Sequence, residues 1–162
     1  MQQIIPNLWI NDGKVSEAVD FYVGLFEDSR IVSSTNYGPE AGDWAGKPMA
    51  VYFELMGRTY AAINGADTRF EANESFSLAI PCDDQEEIDR LWDALVEGGE
   101  PSMCGWLKDR YGFSWQVYPA VLDTMLFDAD QEKVQRVTAA VMKVDRRAFD
   151  IAELEDAFEG RS

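Results

Sequence analysis

The chain repeats itself. Aligned against itself at one constant offset, Leu8-Trp9-Ile10 falls on Leu78-Ala79-Ile80, Glu17 on Glu87, Phe21-Tyr22 on Leu91-Trp92 and Leu25-Phe26 on Leu95-Val96. Each copy reads as a short apolar strand, a polar turn and an amphipathic helix. A chain that repeats a whole supersecondary unit builds its core, and commonly its binding cleft, from the two copies.

Within the first copy, Ile4 to Ile10 reads as a strand and Asn11-Asp12-Gly13 as a turn. Val15, Ala18, Val19, Tyr22 and Phe26 then recur at helical spacing. Strands are expected at Arg30 to Tyr37, Ala50 to Leu55 and Thr59 to Ile63, with Gly38 to Pro48 as a loop and Asn64-Gly65 as a closing turn. The second copy opens near Ser75, where Phe76, Leu78 and Ile80 alternate with Ser75, Ser77 and Ala79, the period-two signature of a strand with one face on a core. Asp84 and Glu87 form a capping-box pattern before the helical stripe Ile88, Leu91, Trp92 and Leu95, and Gly98-Gly99 ends that helix. Met103 to Leu107 and Phe113 to Tyr118 read as the last strands.

The pattern predicts an α+β fold: duplicated βαβββ units forming a cupped mixed sheet, with a C-terminal helical tail. Residues 1–120 are expected to hold the duplicated domain, in units of about 1–66 and 74–119, and residues 121–162 a helical extension. In that extension Asp130 can cap a helix carrying Val134, Val137, Val141 and Val144, and Asp150 with Glu153 can cap another.

Composition restricts function. A chain of 162 residues that is 46% hydrophobic and 12% aromatic can bury a sizeable interior. A net charge of −16 opposes binding to nucleic acid or to anionic membranes, and it attracts cations. The start Met1-Gln2-Gln3 lacks the pattern of a signal peptide, and no apolar run approaches the roughly 20 residues of a membrane helix. Cys82 and Cys104 do not make a disulfide framework, so a cytoplasmic, thiol-reduced protein is expected. There is no histidine, which removes the commonest general base and metal ligand.

Four segments carry a resemblance: Ile5-Pro6-Asn7-Leu8-Trp9, Glu17-Ala18-Val19-Asp20-Phe21-Tyr22, Ile63-Asn64-Gly65, and the long run from Cys104-Gly105-Trp106-Leu107-Lys108 to Trp115-Gln116-Val117. With them the chain resembles the vicinal oxygen chelate superfamily of glyoxalases, bleomycin-resistance proteins and extradiol dioxygenases. Within that group it looks most like the PhnB-like family, which also carries a 3-demethylubiquinone methyltransferase label. The resemblance implies a cupped sheet around a cavity and, commonly, a homodimer. Methyl transfer from S-adenosylmethionine usually uses a glycine-rich loop between a strand and a helix, and none is written here: Gly98-Gly99 follows a helix, and Gly105 and Gly112 lie among strands.

Enzymes of that superfamily hold one divalent metal through His, Glu or Gln from both units. Carried over by position, the late ligand of the second unit falls four residues past the turn glycine, at Gln116, and the same count from Gly57 gives Ala61. The cavity-side positions of the opening strands hold Asn7 and Trp9 in the first unit and Ser75 and Ser77 in the second. Amides and hydroxyls bind such cations poorly, so no metal ligands and no cofactor are expected. Asp128-Ala129-Asp130 starts like a calcium loop, but Lys133 stands where that loop needs glycine, so this reads as a helix cap.

Other chemistry is thin. Serine catalysis needs a base beside the hydroxyl. Cys104 has Lys108 and Arg110 nearby in sequence but reads first as an inert thiol. Asp109 is expected to stabilise the turn before Gly112. Trp115, facing away from Gln116 by alternation, is expected in the core. The preferred reading is a metal-free small-molecule-binding protein, dimeric, with Asn7, Ser75, Ser77 and Gln116 as hydrogen-bonding residues. Trp9, Trp106 and Cys104 complete the candidate site, and a cationic ligand suits the acidic balance. Two alternatives stand beside it: a metal-dependent lyase, isomerase or dioxygenase, and a structural or regulatory dimer.

Overall fold

A computed structural model describes residues 4–161. They divide into two compact units, the chain passing from one to the other between Glu71 and Ala72. The first runs β1 (Asn7–Ile10), α1 (Val15–Leu25), β2 (Arg30–Asn36), two short 3-10 turns kinked at Gly42 over Pro39–Trp44, β3 (Pro48–Leu55) and β4 (Arg58–Asn64). The second runs β5 (Ser77–Cys82), α2 (Gln85–Val96), β6 (Glu100–Pro101), β7 (Trp106–Lys108) and β8 (Ser114–Pro119), followed by α3 (Val121–Leu126), α4 (Gln131–Val141) and α5 (Ile151–Glu159). The sheets have the matching orders β1-β4-β3-β2 and β5-β8-β7-β6. In each, the opening strand lies parallel to the closing one and the other pairings are antiparallel. The duplicated strand–helix–three-strand order is therefore present.

Alternation assigns the faces. In the first unit Leu8, Ile10, Val51, Phe53, Leu55 and Ala62 are buried together with Val15, Ala18, Val19 and Tyr22 of α1, and α1 lies on β3 and β4. Removing each full aliphatic or Phe side chain from water contributes about 1.5–3 kcal/mol. In the second unit Ile80, Cys82, Leu107, Trp115 and Val117 take the same place under Ile88, Leu91, Trp92 and Leu95 of α2. That helix starts where the capping-box pattern puts it: Glu87 N–H donates to the Asp84 carboxylate at 2.9 Å, and Asp83 N–H to the Glu87 carboxylate at 2.9 Å.

The expected strand at Met103 to Leu107 is different in the fold. Cys104 and Gly105 have φ of +56° and +75°, which no strand adopts, and Trp106 N–H closes a turn on the Met103 carbonyl at 3.0 Å. The hairpin strands flank this turn as β6 and β7. A side chain at Gly105 would have its Cβ 2.6 Å from the Val117 carbonyl and 2.3 Å from the Phe149 ring, so glycine is required there.

The C-terminal helices belong to the second compact unit. Their core is Leu122, Met125, Val137, Val144, Phe149 and Leu154. Asp130 and Asp150 cap α4 and α5 through backbone N–H groups, but α4 ends at Val141, so Val144 joins this core from beyond the helix. The Gln85 side chain ties this layer to the start of α2, donating to the Phe149 carbonyl at 2.8 Å and accepting from Ile151 N–H at 2.9 Å. Among the described residues no helix is long and apolar enough to cross a membrane.

Candidate functional site

The face of the second sheet turned away from α2 carries the polar residues. Across it Ser77 is level with Ser114, Ala79 with Gln116, Trp106 with Gln116, and Lys108 with Ser114. Since neighbours on paired strands share a face, Ser77, Ser114, Gln116, Trp106 and Lys108 stand together. Gln116 Nε2 donates to Ser77 Oγ at 2.8 Å, which joins two strands far apart in sequence. This leaves the Ser77 O–H to donate and Gln116 Oε1 to accept, beside the half-buried face of Trp106.

The turn between β7 and β8 is wound around Asp109, which is buried. Its carboxylate accepts from Tyr111 N–H at 2.8 Å, Phe113 N–H at 3.0 Å and Trp115 Nε1–H at 2.8 Å. Asp109 thus stabilises the turn before Gly112, and Trp115 is a core residue facing away from Gln116. Lys108 reaches Glu74 at 3.1 Å. The Glu74 carboxyl is held below its ordinary value by a backbone hydrogen bond and by this ammonium. Tyr118, next on the same alternation, donates to Asp123 at 3.4 Å, and burial with that carboxylate raises its phenol.

Ser75 lies ahead of β5, where its N–H and hydroxyl both donate to Asn73 Oδ1, at 2.9 and 2.5 Å. It is exposed and separate from the Ser77–Gln116 pair. Cys104 sits in the β6–β7 turn, its N–H bonded to the Val144 carbonyl at 2.7 Å and its sulfur 4.0 Å from Met142 sulfur. The Cys82 thiol is pushed up to about 12, first by burial and then by Glu87 and neighbouring aspartates, so it is inert at neutral pH.

In the first unit Asn7 is exposed and level with Ala61, and Trp9 with Ile63. Trp9 is fixed locally. Its Nε1–H donates to the Thr68 carbonyl at 3.2 Å, its ring meets Phe70 edge-on at 4.9 Å, and Gly65 packs so closely that a Cβ there would lie 2.4 Å from Nε1. Alternation along β7 and β8 reaches two residues beyond the sequence reading, Lys108 and Ser114, which share parity with Trp106 and Gln116.

Residues 2–118 match the family model described as 3-demethylubiquinone-9 3-methyltransferase. A protein of Bacillus cereus described as a putative 3-demethylubiquinone-9 3-methyltransferase, PhnB protein, is 32% identical over 72% of this chain and 99% of its own, with a TM-score of 0.66. A Pseudomonas aeruginosa protein is 26% identical over 74% of this chain and 98% of its own, with a TM-score of 0.60. A variant of the fosfomycin resistance protein FosX from Listeria monocytogenes, complexed with Mn(II) and a dihydroxypropylphosphonic acid, shares the fold at 13% identity over 74% of this chain and 93% of its own, with a TM-score of 0.51. No protein of curated function matches the chain.

The donors beside Gln116 do not fit such a metal. They are a neutral amide and two hydroxyls, and the carboxylate on the same face, Glu100, stands two strands away across Lys108. Among the described residues no three His, Cys, Asp or Glu side chains gather to hold an ion.

Proposed function

Since this chain belongs to the 3-demethylubiquinone-9 3-methyltransferase family, a PhnB-like branch of the vicinal oxygen chelate superfamily, we propose that it binds a small molecule on the open face of its second sheet, without a metal. The observation that carries this reading is the Gln116–Ser77 hydrogen bond at 2.8 Å beside Trp106. The pair offers one outward donor, the Ser77 hydroxyl, and one outward acceptor, Gln116 Oε1. It therefore suits a ligand edge with a carbonyl next to an N–H or O–H, held against the indole.

The methyltransferase activity in the family's description is not carried over. The strand-to-helix turn after β1 holds a single glycine, Gly13, and the sheets are mixed rather than doubly wound. We place the protein in the cytoplasm as a homodimer, on two free cysteines and on the exposed apolar residues Ile31 and Val32 of edge strand β2. The acidic surface favours cationic over anionic ligands at long range.

Screening a metabolite library by thermal shift, with untagged protein analysed for bound metals, tests the reading. Ligands that raise the melting temperature of the native chain and lose that effect in Gln116→Ala and Trp106→Ala are expected. Close to one transition metal per chain, lost in Gln116→Ala, would replace it with a metal-dependent lyase or dioxygenase. Ligands indifferent to both substitutions would move the site elsewhere.

A further inference from the structure

Ser114 is the one buried side-chain polar atom without a hydrogen-bond partner among the described residues: Ser114 is 3% exposed and its Oγ meets no donor or acceptor. Folding does not leave a buried hydroxyl unpartnered without cost, so such a group points to something that completes it. Ser114 lines a cavity of about 200 Å³ at the β6 edge of the second sheet, together with Glu74, Glu100, Trp106, Lys108 and Arg146. At about 30 Å³ per water, that space holds a molecule of amino-acid size.

The charges around it select the ligand. Lys108 and Arg146 supply two cations, Glu74 and Glu100 two anions, and the lining is electrically balanced. Lys108 and Glu74 are paired at 3.1 Å, whereas Arg146 and Glu100 form no ion pair among the described residues. A simple anion would meet the field of a chain of charge −16, and a simple cation would leave Arg146 and Ser114 unanswered. A molecule carrying both charges satisfies both ends and has no net charge to be repelled.

We propose that this cavity is a binding subsite for a small zwitterion, its ammonium taken by Glu100 and the face of Trp106 and its carboxylate by Arg146 and by the Ser114 hydroxyl, which must rotate about χ1 to reach it because Oγ is closed to solvent as it stands. An ammonium over an indole beside a carboxylate is a favourable arrangement for primary and for methylated amines alike. The proposal extends the reading above to a neighbouring part of the same face. It rests on that reading only for the premise that small molecules bind there.

Isothermal titration of the full chain with glycine betaine and with L-alanine tests it. At least one is expected to bind saturably. Affinity should fall by about tenfold or more in Arg146→Gln and in Glu100→Gln, and comparably for the half-ligands tert-butylacetate, which keeps the carboxylate alone, and tetramethylammonium, which keeps the cation alone. Ser114→Ala separates a binding role from a structural one: the free protein should melt at the same or a higher temperature while zwitterion affinity falls. If neither zwitterion binds, or if binding ignores these substitutions, the proposal is overturned. Library ligands lost in Gln116→Ala with no zwitterion binding would sink this subsite and leave the proposed function standing. Zwitterion binding lost in Arg146→Gln, with no ligand sensitive to Gln116→Ala, would do the reverse.

Discussion

The two units have one strand order and two different treatments of their third element. In the first, β2 is a seven-residue edge strand with every residue exposed. In the second, the equivalent strand β6 is two residues long, and the backbone beyond it is met by the C-terminal segment. Met103 bridges Asp145, Cys104 N–H donates to the Val144 carbonyl, and Arg146 N–H donates to the Ser102 carbonyl at 3.0 Å. The open faces differ in the same way. Asn7 is level with Ala61, which offers no polar group, whereas Ser77 is hydrogen-bonded to Gln116. Duplication supplies a scaffold, and what each copy adds to it decides where chemistry can happen.

The largest test of this contrast is at the tail. If the C-terminal layer is an integral part of the second unit, Phe149→Ala should cost about 3–5 kcal/mol in urea unfolding, because Phe149 is buried in the tail core and packs on Gly105 at the β6–β7 turn. A loss below about 1 kcal/mol would make the tail an accessory and remove the main difference between the units.

A smaller effect is expected at the β7–β8 turn, whose counterpart in the first unit is only Met56-Gly57. Asp109→Ala leaves two backbone N–H groups and the Trp115 indole N–H without their acceptor. We expect a loss of about 2–3 kcal/mol and altered tryptophan emission; an unchanged melting curve would contradict the turn's dependence on that carboxylate.

The smallest effect concerns the thiols of the second unit. Native protein at pH 8 should release one titratable thiol, from half-exposed Cys104, and a second only on unfolding, from Cys82. The folded Cys82 thiol keeps its proton to about pH 12, while the unfolded one loses it near an ordinary thiol's 9.0. Between these values the unfolded chain binds fewer protons, so this residue's contribution to stability falls as pH rises above about 9. Rapid native labelling of both thiols would show that the α2 layer opens far more easily than its packing implies.

Local patterns were legible in the chain itself. Period-two alternation located β5 and β8, the apolar stripes located α1 and α2, and Asp84, Asp130 and Asp150 marked helix starts, because each depends on residues within a turn or two of one another. Parity also put Trp115 in the core and Gln116 on the other face. The Met103–Leu107 stretch was misleading, since its apolar residues hid a turn that needs positive φ at Cys104 and Gly105. Only tertiary structure decided that Gln116 meets Ser77, that Ser75 does not join them, that Trp9 is pinned by Thr68 and Phe70, and that Ser114 is buried unpartnered in a charged cavity. The physical reason is register. Periodicity tells which face a side chain takes, but which residue stands opposite it across a parallel pairing is set by the packing of α2 and the C-terminal helices, and no local pattern encodes that.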